Sequence, residues 1–138
     1  MHITHWLSLG GAALLLSCSS SSPTSSNNNV GGGSPPPGSK IVTIKDFSFT
    51  PSTLTIAVGT TVVWVNSGPS AHTTVSDAGV WDSGTLSPPS GGTGIYGGST
   101  AGGSFQYTFN TPGTYPYHCV LHPPAMYPAF IGTITVTP

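Results

Sequence analysis

Beyond residue 40, the only cysteine, histidine and methionine side chains are His72, His118, Cys119, His122 and Met126. Four of these five fall within the short stretch Tyr117-His118-Cys119-Val120-Leu121-His122-Pro123-Pro124-Ala125-Met126. A Cys-x-x-His spacing by itself specifies little, and a structural zinc site wants four strong ligands. Here one thiol and three imidazoles are on offer, and one imidazole points away. In an extended Tyr115–Cys119 segment, Tyr115, Tyr117 and Cys119 share a face while His118 takes the other. His118 is thus a flanking residue, and His122 can turn back beside Cys119 across a short loop. Met126 changes the balance, because two imidazoles, a thiolate and a weak thioether form the ligand pattern of a mononuclear type 1 copper site. The second imidazole has to come from His72. Taken singly, Cys119 reads as a buried thiol, Met126 as core filler and His72 as a surface polar residue. Together they point to one site holding one Cu ion through His72, Cys119, His122 and Met126.

The elements that would position these residues read as β throughout. Ile41-Val42-Thr43-Ile44-Lys45, Phe47-Ser48-Phe49 and Leu54-Thr55-Ile56-Ala57-Val58 come first, then Thr61-Val62-Val63-Trp64-Val65-Asn66, which is apolar enough for a central strand. Ser67-Gly68-Pro69-Ser70 breaks the pattern before His72-Thr73-Thr74-Val75 resumes it. Phe105, Tyr107 and Phe109 alternate with polar residues, the period of a half-buried strand. Pro112-Gly113 suits the two central positions of a type II turn, and Gly132 to Thr137 closes the domain with clean alternation. No helical periodicity of useful length and no internal repeat is present. Short strands with Gly/Pro turns predict an all-β fold, an antiparallel sandwich or a small barrel. Ser87 to Gly103 is a long Gly/Ser/Pro/Thr loop centred on Ile95 and Tyr96.

The 138 residues carry two Lys or Arg and three Asp or Glu. Such a chain has no basic patch for nucleic acid and no field to steer a charged partner, so a docking surface has to be largely uncharged. The N-terminus reads as an export signal. Its apolar run, Leu7 to Leu16, is too short for a permanent membrane span. Leu15-Leu16-Ser17-Cys18 resembles the lipobox of bacterial lipoproteins, in which cleavage leaves the cysteine to carry lipid. Residues 1–17 are then a signal peptide, 18–39 a lipidated Cys18 with a flexible Ser/Asn/Gly/Pro linker, and 40–138 the folded domain. This organisation places the protein outside the cytoplasm, on the periplasmic or cell-surface side of a bacterial membrane, tethered through lipid and not embedded. An unpaired Cys119 in an exported protein also fits metal ligation.

Several segments together carry a family resemblance: Phe49-Thr50-Pro51, Val58-Gly59, Val63-Trp64-Val65-Asn66, Ala71-His72-Thr73, Phe109-Asn110-Thr111-Pro112-Gly113-Thr114-Tyr115, the Tyr-His-Cys-x-x-His run and Gly132-Thr133-Ile134-Thr135-Val136. From about Lys40 to Pro138 the chain resembles the cupredoxins of the plastocyanin/azurin family, nearest the amicyanin- and plastocyanin-like small copper proteins. The resemblance implies a Greek-key β-sandwich and single-electron transfer, with His72, Cys119, His122 and Met126 as ligands. It departs from the pattern in two places: three residues separate His122 from Met126, as in azurin-like loops, instead of the two of amicyanin, and the Ser87–Gly103 loop is longer and richer in glycine than expected.

On that resemblance, the Thr73 amide is the expected hydrogen-bond donor to Cys119 sulfur, and Pro123, Pro124 and Pro128 stiffen the ligand loop. His122 is expected nearer the surface than His72, in an apolar collar where a redox protein donor or acceptor docks. The reading is a monomeric carrier and not an enzyme, since no spare histidines exist for further copper centres. Two rivals stand beside it: a copper chaperone or scavenger without a dedicated redox partner, and a plain β-sandwich interaction module.

Overall fold

A computed structural model describes residues 34–91 and 100–138. The signal peptide, Cys18, most of the linker and the centre of the Ser87–Gly103 loop lie outside the described residues. Eight strands follow in order: β1 (Lys40–Lys45), β2 (Ser48–Thr50), β3 (Thr53–Ala57), β4 (Thr60–Asn66), β5 (Val75–Ser76), β6 (Ser104–Phe109), β7 (Gly113–His118) and β8 (Ile131–Thr137). They form two four-stranded sheets, ordered β2-β1-β4-β6 and β3-β8-β7-β5. This is the cupredoxin-like sandwich expected. Because the chain crosses between layers, β1 pairs with β4 and β3 with β8 in parallel, so both sheets are mixed and not purely antiparallel. Among the described residues no helix is long and apolar enough to cross a membrane.

Period-two alternation sets the core. In β8, Gly132, Ile134 and Val136 face inward, and in β6 Phe105 and Phe109 do. Trp64 on β4 is fully buried at the centre, with ring centroids of Trp81 at 5.4 Å and Tyr117 at 5.6 Å. Close packing of this kind leaves no room for extra volume. A Cβ on Gly132 would come within 2.2 Å of the Tyr117 ring, so only glycine lets β8 lie against that phenol.

Two local expectations are corrected. Gly113 opens β7 at φ 158°, paired with Val136, far from the roughly +80° that a type II turn takes at its third residue. The ladder hydrogen bonds of β7 outweigh the local turn preference there. The segment from His72 also forms less strand than its composition suggests. His72 makes an isolated bridge to Leu86, and regular pairing begins only at Val75.

Candidate metal centre

Two strands and two loops bring the site together. β4 ends at Asn66, which is 1 % exposed. Its amide nitrogen donates to Ser70 O at 2.8 Å and Leu86 O at 2.9 Å, while its oxygen accepts from Gly68 N–H at 3.0 Å. A single buried amide thereby folds the polar 67–71 turn back on itself and delivers His72 inward. His72 N–H and C=O pair with Leu86, which leaves the imidazole fully buried. From the other sheet, β7 carries Cys119 into the same layer, also fully buried and unpaired. After it, the chain turns through Pro123, whose carbonyl accepts from the N–H groups of both Met126 and Tyr127. That turn sets His122 beside the sulfur, with Nδ1 3.7 Å from Cys119 Sγ.

His72, Cys119 and His122 each offer one donor atom, and these atoms lie within 4.8 Å of one another. The two imidazole rings are 5.0 Å apart and both rest against Phe130. His72 Nε2 lies 3.0 Å from Asp46 Oδ1. A carboxylate can only accept, so Nε2 carries the proton and the Nδ1 lone pair is left free. His72 Nδ1 is a buried atom without a hydrogen-bond partner. Buried polar atoms are nearly always satisfied, so an orphaned imidazole lone pair beside a thiol and a second imidazole fits a metal ligand. The soft thiolate with two nitrogens is a donor set that suits copper.

Charge and hydrogen bonding support the cluster. Burial pushes the His72 pKa down, against the opposing effect of the hydrogen bond it donates to Asp46. The Asp46 carboxyl is held below its usual range chiefly by that same bond. Thr73 N–H donates to Cys119 Sγ at 3.3 Å, as expected, and the Thr73 hydroxyl lies 3.7 Å from the sulfur. His118 faces away and bonds Asp77 at 2.6 Å, which agrees with its flanking role. His122 is partly buried, nearer the surface than His72. Met126 sits on the ligand loop but is 71 % exposed, so it stands largely in solvent and not within the buried cluster.

Sequence reasoning missed Asp46 and Phe47, the turn between β1 and β2. Asp46 is one of only three acids in the chain, and an acid kept so rarely between two apolar strands was the available signal. Phe47 has φ 62°, a left-handed conformation that costs a residue with a Cβ about 1–2 kcal/mol. Its ring stacks on Tyr127 at 4.1 Å and meets the edge of His122 at 5.1 Å.

The comparisons agree with this geometry. The family of copper-binding proteins described as plastocyanin/azurin matches residues 39–137. Among solved structures, a reduced proline-to-phenylalanine mutant of amicyanin is 27% identical, with a TM-score of 0.50, covering 72% of this chain and 83% of that one. An oxidized methionine-to-leucine mutant of amicyanin is 26% identical at a TM-score of 0.52, covering 75% and 86%. The Cu(I) form of a methionine-to-alanine mutant of amicyanin gives the same four values. With a converging His72–Cys119–His122 donor set inside a fold of this kind, the chain belongs to the plastocyanin/azurin family of copper-binding proteins.

Proposed function

We propose that the protein is a single-electron carrier outside the cytoplasm. The observation that carries this is the convergence of Cys119 Sγ, His122 and the unpartnered His72 Nδ1 in a buried cluster. Copper held there would supply one-electron chemistry between Cu(II) and Cu(I). The amicyanin relatives were solved in reduced and oxidized states, which supports the same use here. His72, Cys119 and His122 are the strong ligands in this reading and Met126 the weak fourth. Cys119 is the strongest electronic path into the protein. Hydrogen-bond partners, Asp46 on His72 and Thr73 on Cys119, hold their orientation, so little rearrangement accompanies a change of charge.

His122 is the point of electron entry and exit. Around its loop, Phe47, Val120, Leu121 and Met126 are exposed apolar residues, a surface that a redox partner can approach at little desolvation cost. Weak electron-transfer encounters use small interfaces, and a monomer with so few charges docks with little dependence on ionic strength. The export signal and Cys18 lipobox would tether the carrier to a bacterial membrane, with residues 18–39 as spacer and 40–138 as the copper domain.

Adding Cu(II) to the purified protein and to Cys119→Ser tests the proposal. An intense thiolate-to-copper band with small EPR hyperfine splitting, lost in the variant, is the expected result. A weak spectrum unchanged by the substitution would overturn it. A second reading, copper delivery without a redox partner, is favoured by the exposure of Met126, a soft donor able to pass the ion on. Reversible voltammetry with fast electron self-exchange separates the carrier from the delivery protein.

A further inference from the structure

We propose that the Asp46-Phe47 turn is a two-sided clamp that orients both histidine ligands, Asp46 acting on His72 and Phe47 on His122. The two residues are adjacent in sequence yet serve ligands 50 positions apart, His72 and His122. Asp46 is held at three points. Oδ1 accepts from His72 Nε2 at 3.0 Å and from Ser70 N–H at 3.3 Å, and Oδ2 accepts from the Ser70 hydroxyl at 3.1 Å. Ser70 lies two residues before His72, so the carboxylate fixes both the ring and the backbone that bears it. Gly68 admits this approach, since a Cβ there would fall 2.7 Å from Asp46 Oδ1.

Phe47 completes the other side. In an extended strand it would point opposite to Asp46, but φ 62° re-aims it over the ligand loop. Its ring stacks nearly parallel on Tyr127, at 12°, and both rings present faces or edges to His122, at 5.1 and 5.4 Å. Glycine or asparagine would occupy this backbone more readily. A bulky aromatic retained in that conformation points to work done by its ring. Asp46 and Phe47 are positioning residues, acting through the histidines and not on the metal.

Because this rests on the cluster being a metal site, the test needs one readout in the metal-free protein and one with Zn(II). In the metal-free chain, long-range proton–nitrogen NMR should show His72 as a single Nε2–H tautomer. Asp46→Ala should mix the tautomers and weaken Zn(II) binding roughly 10- to 100-fold, the usual loss on removing such a partner. Asp46→Asn, which can still accept from Nε2–H, should restore most of both.

Phe47→Gly suits the backbone and should keep the unfolding midpoint, while His122 gives several ring signals in place of one. An unchanged His72 tautomer with unchanged Zn(II) affinity in Asp46→Ala would overturn the Asp46 arm. A single, unshifted His122 ring signal in folded Phe47→Gly would overturn the Phe47 arm. Failure of the wild-type protein to take up either Zn(II) or copper would overturn the metal-site reading, while the NMR result would still judge the clamp.

Discussion

Thr73 engages Cys119 twice, through its backbone N–H, 3.3 Å from the sulfur, and through its hydroxyl, 3.7 Å away. The same hydroxyl accepts from the N–H of Val120 at 2.9 Å, so one side chain ties the ligand sulfur to the backbone that follows it. Donors aimed at a thiolate stabilise negative charge on it, and the reduced site holds one more electron than the oxidised one. They therefore favour reduction, in line with the role of hydrogen bonding at this sulfur in setting potential.

Thr73→Val removes one of the two donors while keeping the shape of the side chain. Its reduction potential should fall relative to the parent, with a shifted thiolate-to-copper band. It should also lose about 1 kcal/mol of stability, because Val120 N–H is left without its acceptor. Protein-film voltammetry checks the first and urea denaturation the second. An unmoved or raised potential would mean the hydroxyl does not act on the sulfur.

The same logic applies farther from copper, at Asn66. Its amide makes three hydrogen bonds from a buried position: two join Gly68 and Ser70 of the loop before His72, and the third reaches Leu86, the backbone partner of His72. Asn66→Ala strands those partners, and at about 1–3 kcal/mol for each unsatisfied buried group the domain should be strongly destabilised. The metal-free protein should show it first, as a lowered urea midpoint. Metal binding should then recover part of the loss by selecting the folded state. A midpoint equal to that of the parent would show that water replaces the amide.

Much of this was legible beforehand, for physical reasons. Alternation along β6 and β8 is local and survives in the sequence, and so does the scarcity that made Cys119, His122 and His72 a set. His118 was correctly turned away by strand geometry alone. The parallel pairing of β1 with β4 was not legible, because registers between distant strands leave no local pattern. Nor were Trp81, Leu86 and Phe130, which enter the core from loops without periodicity. Asp46 and Phe47 escaped for a related reason. Their importance lies in a positive φ and in contacts with residues 24 to 80 positions downstream, and neither can be read from residue type.

Gly132 offers a steric test of the core. A Cβ at this position meets Tyr117 Cζ at 2.2 Å, whereas one at Gly91 meets nothing within 4 Å. Gly132→Ala should therefore cost on the order of 1–3 kcal/mol through overpacking, and Gly91→Ala should be near neutral. Thermal unfolding of the two metal-free variants compares them directly. Equal melting temperatures would mean that Tyr117 can move aside. The ring is 1 % exposed and flanked by Phe49, Trp64 and Trp81, which argues against such movement.

Acid should weaken the metal-free protein through His72 before it reaches Asp46. Burial lowers the folded-state pKa of His72 below its ordinary 6.5, so on acidification the unfolded chain takes up a proton that the folded one refuses. Stability is then full above pH 6.5 and declines as pH falls toward the lowered value, by at most about 1.4 kcal/mol per pH unit for one proton. Asp46 is also lowered, from 3.8, and its contribution persists until lower pH and is lost below that value. Urea midpoints measured at pH 7.5 and 5 should thus differ in the metal-free parent, and differ less in His72→Asn. If the parent instead grows more stable at pH 5, His72 folds as the charged partner of Asp46, and burial is the weaker of the two influences on its ring.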